Sequence, residues 1–99
     1  MAQNRWIEII GVRLCDPANG SAVQNIFQQI HATPGENSEQ ERDAELFLNS
    51  KNQTDWSLYL YWNKQVDDPA KTMLGLSVAE AFNALGLVNH TVWMKDGVG

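Results

Sequence analysis

The hydrophobic positions of this chain alternate between a period of two and a period of about 3.6, and each change of period marks an element. The stretch from Arg5 to Leu14 is rich in β-branched and aromatic residues, which favours a strand. Trp6, Glu8, Ile10, Val12 and Leu14 share one face, while Arg5, Ile7, Ile9, Gly11 and Arg13 share the other. Both faces are mostly apolar, so this strand should be central and covered on two sides. Gly11 is a candidate bulge, which would flip the facing partway along, or a point where another backbone approaches closely.

Asp16-Pro-Ala-Asn-Gly20 is turn chemistry, and Ser21 with Gln24 makes a capping-box pattern at a helix start. Val23, Ile26, Phe27 and Ile30 then recur as one buried helical stripe that should end near His31, before Pro34-Gly35. Ala32 to Arg42 is polar and acidic and reads as an exposed loop, a candidate lid. A second strand is predicted over Asp43 to Ser50, and a short polar connection from Lys51 to Thr54 leads into a third over Asp55 to Trp62. In that third strand Trp56, Leu58, Leu60 and Trp62 lie opposite Ser57, Tyr59 and Tyr61. Pro69 suits the first turn of a second helix, whose apolar positions are Leu74, Val78, Ala81, Phe82 and Leu85. Ser77 with Glu80 offers a later start, and Gly86 is placed to end the helix. Asn89 to Lys95 closes the chain as a fourth strand.

The order strand, helix, strand, strand, helix, strand is the ferredoxin-like βαββαβ arrangement, an α+β fold with a four-stranded antiparallel sheet and both helices on one face. Residues 1–99 are expected to form one domain, since this length supports a single core and not two. The helix stripes should pack on Leu46, Leu48, Leu58, Leu60, Val92 and Met94, each contributing roughly 1.5–3 kcal/mol on burial. Glu45, Phe47, Asn49, Ser57, Tyr59, Tyr61, Thr91, Trp93 and Lys95 collect on the opposite face, a patch too apolar to leave in water. A second copy packed sheet on sheet would cover it, so a homodimer is expected.

Charge and composition narrow the partners. The formal charge is −5, and the seven basic residues are scattered, which disfavours nucleic acid and an anionic membrane surface. The hydrophobic fraction of 43% and charged fraction of 19% fit an ordinary globular protein. Cys15 is the sole cysteine, so no intrachain disulfide can form and no zinc-ligand spacing exists. The N-terminal residues resemble no secretion signal, and a cytoplasmic location is expected.

On the open face, Tyr59, Tyr61 and Trp93, with Phe47 and Asn49, are candidates to bind a planar aromatic ligand. Tyr and Trp are equally at home in a dimer interface, so the same residues also fit a purely structural role. Glu45 and His90 are the candidate catalytic groups. Burial would raise a glutamate toward a useful base, and His titrates nearest neutrality. Glu8 is a further candidate base, with Arg13 or Lys95 as a possible ion-pair partner. No Ser-His-Asp or Cys-His constellation, phosphate loop or metal motif is visible.

Leu58-Tyr-Leu-Tyr-Trp62, and Gly86-Leu-Val-Asn-His-Thr-Val-Trp93 after an amphipathic helix, resemble the dimeric α+β barrel proteins, in particular small antibiotic-biosynthesis-monooxygenase-type proteins. The resemblance implies two sheets paired into a barrel with a pocket in each half. It also implies a cofactor-independent monooxygenase or isomerase acting on a small aromatic or polyketide-like compound. Haem-degrading members carry an iron-binding His on the second helix; here that helix has none, and no cofactor is expected. The alternative is a non-catalytic dimerisation or ligand-binding module.

Overall fold

The computed structural model describes residues 5–32, 42–62 and 68–95. Its elements are β1 (Trp6–Leu14), a 3-10 turn (Pro17–Asn19), α1 (Gly20–Ala32), β2 (Arg42–Leu48), β3 (Asp55–Trp62), α2 (Met73–Asn83) and β4 (Gly86–Met94). The strands form one antiparallel sheet in the order β2-β3-β1-β4, the ferredoxin-like topology that the alternating periods predict. Residues 33–41, which hold nearly all of the candidate lid, and residues 63–67 lie outside the described residues.

β1 is central, as its two apolar faces require. It pairs with β3 from Trp6↔Trp62 to Arg13↔Asp55 and with β4 from Trp6↔Met94 to Leu14↔Gly86. The expected bulge at Gly11 is not there. Alternation runs unbroken through it, and a Cβ at that position would meet only ordinary contacts at 3.7 Å. Trp6, Glu8, Ile10, Val12 and Leu14 are therefore all buried on the same side.

That side carries the helices. Val23 of α1 and Val78 and Phe82 of α2 share a core with Trp6, Ile10, Val12, Leu14, Leu58, Leu60 and Trp62, with Ile26, Phe27 and Ile30 packed at its edge. Trp6 and Trp62, paired across the strands, stack with ring centroids 5.6 Å apart. Leu48 and Met94, expected in the core, are exposed at the ends of the two edge strands instead.

The second helix differs from its prediction at both ends. Thr72 caps it, its hydroxyl accepting from the Gly75 N–H at 3.0 Å, so Pro69 precedes the helix and Ser77 falls inside it. At the C-terminal end Ala84 is the cap, and Gly86 opens β4 three residues before the expected start at Asn89. The reason is proximity: any Cβ on residue 86 would overlap the Arg13 carbonyl of β1.

Among the described residues a carboxylate, that of Glu8, is fully buried in this layer. Glu8 has 0% exposure, and each carboxylate oxygen accepts two hydrogen bonds. Oε1 accepts from Trp62 Nε1 (2.9 Å) and Thr72 Oγ1 (2.5 Å); Oε2 accepts from the Thr72 N–H (3.1 Å) and faces His90 Nε2 (2.8 Å). The lone-pair sites of the carboxylate are thus all occupied. Gly75 makes room for the group, because a Cβ there would overlap Glu8 Oε2 and sit 3.0 Å from His90 Nε2. Gly75→Ala should lower unfolding free energy by roughly 1–3 kcal/mol, the usual cost of overpacking. Glu8→Ala, which strands the donors of Trp62 and Thr72, should cost about 3–5 kcal/mol. Urea denaturation of the two variants against wild type checks both values.

Candidate functional site

The face of the sheet turned away from the helices is organised in rows across the strands. Strand pairing places Asp43, Tyr61, Ile7 and Trp93 in one row and Glu45, Tyr59, Ile9 and Thr91 in the next. The following row is Phe47, Ser57, Gly11 and Asn89, and beyond it Asp55, Arg13 and Leu87. The third row is small at its centre, where Ser57 and Gly11 meet. The consequence is a groove of about 480 Å³ over that point, lined by Phe47, Tyr59, Arg13, Asp55, Leu87 and Asn89 among others. Its volume is within the range of small-molecule sites.

Aromatic rings form one wall. Phe47 meets Tyr59 edge to face at 4.9 Å between centroids, and Tyr59 stacks on Tyr61 at 6.1 Å. An exposed ion pair closes the far end: Arg13 Nε donates to Asp55 Oδ1 at 2.8 Å and Nη2 to Oδ2 at 3.2 Å. This bidentate contact, chiefly through its hydrogen bonds, holds the Asp55 carboxyl below its ordinary value and the Arg13 guanidinium above its own. Arg13 therefore pairs with Asp55 and with neither Glu8 nor Glu45.

Of the residues singled out in the sequence, Glu45, Phe47, Tyr59 and Tyr61 come together on this face. Glu45 stands opposite Tyr59 in the register, and a second hollow is lined by Asp43, Ala44, Glu45 and Tyr61. The Tyr61 phenol is pushed up, first by desolvation, then by its hydrogen bond to the Glu45 carboxylate and that carboxylate's charge, with a smaller contribution from Tyr59. Asn49 lies just past β2 at the groove's margin, where Oδ1 accepts from the Lys51 N–H at 2.9 Å and shapes the hairpin. Trp93 is 55% exposed on the same face but is separated from Tyr61 by β1, and its indole donates to Thr91 Oγ1 at 2.8 Å.

His90 is not part of this surface. β4 turns it to the helix side, where it meets Glu8 with its side chain 5% exposed, so His90 and Glu45 cannot serve one reaction centre. The groove depends on four residues outside the candidate ligand-binding and catalytic set, of which Arg13 was expected only as a glutamate's ion-pair partner and Ser57 only as part of the open face. Gly11 and Ser57 carry no functional signal by type, and Arg13 and Asp55 become a pair only through the β1–β3 register. Among the described residues no cluster of His, Cys, Asp or Glu could hold a metal ion, and no helix is long and apolar enough to cross a membrane.

The Tyr61–Glu45 contact makes a prediction for the alkaline limb. A phenol held above its unfolded value contributes stability that is complete below that value, near pH 10, and is lost as pH rises through the folded one. Glu45→Gln should bring the Tyr61 step closer to an ordinary tyrosine without reaching it, because desolvation remains. Phenolate absorbance during titration of wild type, Glu45→Gln and Tyr61→Phe reads this directly.

No family profile matches the chain, and no curated protein matches it. Solved structures do. An antibiotic biosynthesis monooxygenase superposes with a TM-score of 0.60 at 16% identity, covering 95% of this chain and 99% of the other. An Asn-to-Ala mutant of SnoaB, a cofactor-independent oxygenase from Streptomyces nogalater, superposes with a TM-score of 0.59 at 14% identity, covering 93% of this chain and 92% of that one. Identity at this level speaks to the fold alone. The chain has the ferredoxin-like α+β fold of the antibiotic-biosynthesis-monooxygenase-type proteins, and its resemblance to them extends over nearly its whole length.

Proposed function

We propose that two copies of this chain pair through their open sheet faces into a dimeric α+β barrel, and that the groove enclosed there binds a small, partly aromatic molecule and oxidises it without a cofactor. The observation that carries the reading is the groove itself: a small-residue row between an aromatic wall and a polar end, on a face with exposed Phe47, Leu87 and Trp93. The fold shared with a monooxygenase and a cofactor-independent oxygenase supports the chemistry.

In this reaction a base takes a proton from a phenolic or enolic substrate, and the resulting carbanion adds to dioxygen. The hydroperoxide so formed loses water and leaves a carbonyl, so one oxygen atom enters the product and the other leaves as water. Glu45, in the neighbouring hollow beside the Tyr61 hydroxyl and one row from Phe47, is the base on this face; Phe47 and Tyr59 hold the ring. A covered face excludes bulk water from the carbanion.

A second assignment of the base is favoured by one specific observation, the buried Glu8–His90 contact. With the Nε2 hydrogen directed at Glu8, Nδ1 is the basic nitrogen, oriented by a carboxylate as catalytic histidines are. The reaction would then proceed between the sheet and α2. A non-catalytic dimer is the remaining alternative, and it requires that the groove be filled by the twin.

Light scattering at micromolar concentration should return a dimer for wild type and a monomer for Ile9→Lys, which places a charge in the centre of the open face. Ser57→Phe should fill the groove and abolish ligand binding. Glu45→Gln should lower turnover about 10²-fold or more with binding kept, the usual loss of a general base. If His90→Gln instead gives that loss in a folded protein while Glu45→Gln is silent, the base lies on the helix side. A monomeric wild type would overturn the barrel.

A further inference from the structure

The groove has unlike ends, and the difference specifies a ligand class; the argument rests on the open-face site proposed above. At the far end the Arg13 side chain is 63% exposed, and two of its five N–H groups are committed to Asp55. The other three have no partner among the described residues. Asp55 offers little in return, since Oδ1 is taken by Arg13 and Oδ2 by Arg13 and by Asn52 Nδ2 at 3.4 Å. Asn89, in the adjoining row beside Gly11, adds an amide. The unengaged groups at this end include three N–H donors on a positively charged guanidinium.

The spacing is equally definite. The floor at Gly11 and Ser57 lies two residues along the strands from Arg13 and Asp55, which is roughly 6.5–7 Å. A ring resting on that floor against Phe47 and Tyr59, with a carboxylate attached directly to it, spans this distance once a charge-assisted hydrogen bond of about 2.8 Å is added. A planar guanidinium matches a carboxylate better than a single neutral carbonyl oxygen.

We infer that the groove selects aromatic carboxylates, the ring lying on Gly11 and Ser57 beside Phe47 and Tyr59 and the carboxylate accepting from Arg13 and Asn89. Arg13 is then the residue that sets specificity, and Asp55 orients its guanidinium while competing with the ligand for it.

Isothermal titration of the intact protein with naphthoate and with its neutral isostere naphthamide tests the assignment. Wild type should bind naphthoate about tenfold more tightly, the advantage of a hydrogen bond charged at both ends over one charged only at the donor. Arg13→Gln should erase the preference, with naphthoate losing the larger share of its affinity. Asp55→Asn, which frees the guanidinium, should tighten naphthoate several-fold. Equal binding of the two compounds by wild type, or a preference that survives Arg13→Gln, would overturn the carboxylate assignment while leaving the groove as a site. Binding of neither compound would remove the groove and this inference together, and loss of naphthamide binding in a folded Arg13→Gln protein would show that Arg13 acts by shaping the site and not by selecting charge.

Discussion

The placement of Glu8 constrains the rest of this structure. A carboxylate without access to water is costly unless every acceptor site is used, and here Trp62 of β3, the Thr72 cap of α2 and His90 of β4 all converge on it. Its single contact set therefore joins three elements that are far apart in the chain. The position at the start of α2 suits an anion, because the helix N-terminus presents unpaired N–H groups and the positive end of its dipole. Gly75 follows from this, since only a residue without a side chain lets α2 come close enough for Thr72 to reach the carboxylate.

That arrangement also divides the labour of the two sheet faces. The helix side holds the aliphatic core, the stacked Trp6–Trp62 pair and the polar cluster around Glu8. The other side is left with tyrosines, exposed apolar residues and an ion pair, with two small residues at its middle. A groove arises there because side-chain size changes from row to row, not because the backbone departs from a regular sheet. All of the described non-glycine residues have negative φ, and the β1 pairings run without a bulge.

The likeness to oxygenases spans nearly the whole chain, yet fewer than one residue in five is shared with either structure. A fold of this kind supplies a scaffold on which side chains decide the chemistry. What distinguishes this chain is therefore the content of its rows: Glu45 against Tyr61, Phe47 against Tyr59, and Arg13 against Asp55.

Much of the architecture was legible in the residues alone. Period-two alternation in Trp6–Leu14 and Asp55–Trp62, and the stripe at Val23, Ile26, Phe27 and Ile30, determined the elements, their order and the face each side chain takes. The grouping of Glu45, Phe47, Tyr59 and Tyr61 followed from that same alternation. Element ends were less legible, because Thr72 becomes a cap through its contact with a distant carboxylate, and Gly86 is a glycine on account of the Arg13 backbone. Tertiary structure alone decided which residues meet across strands. Sequence spacing says which face a side chain is on but not which residue of another strand stands beside it. Hence the meeting of His90 with Glu8, of Arg13 with Asp55, and of Gly11 with Ser57 to open the groove came from the register.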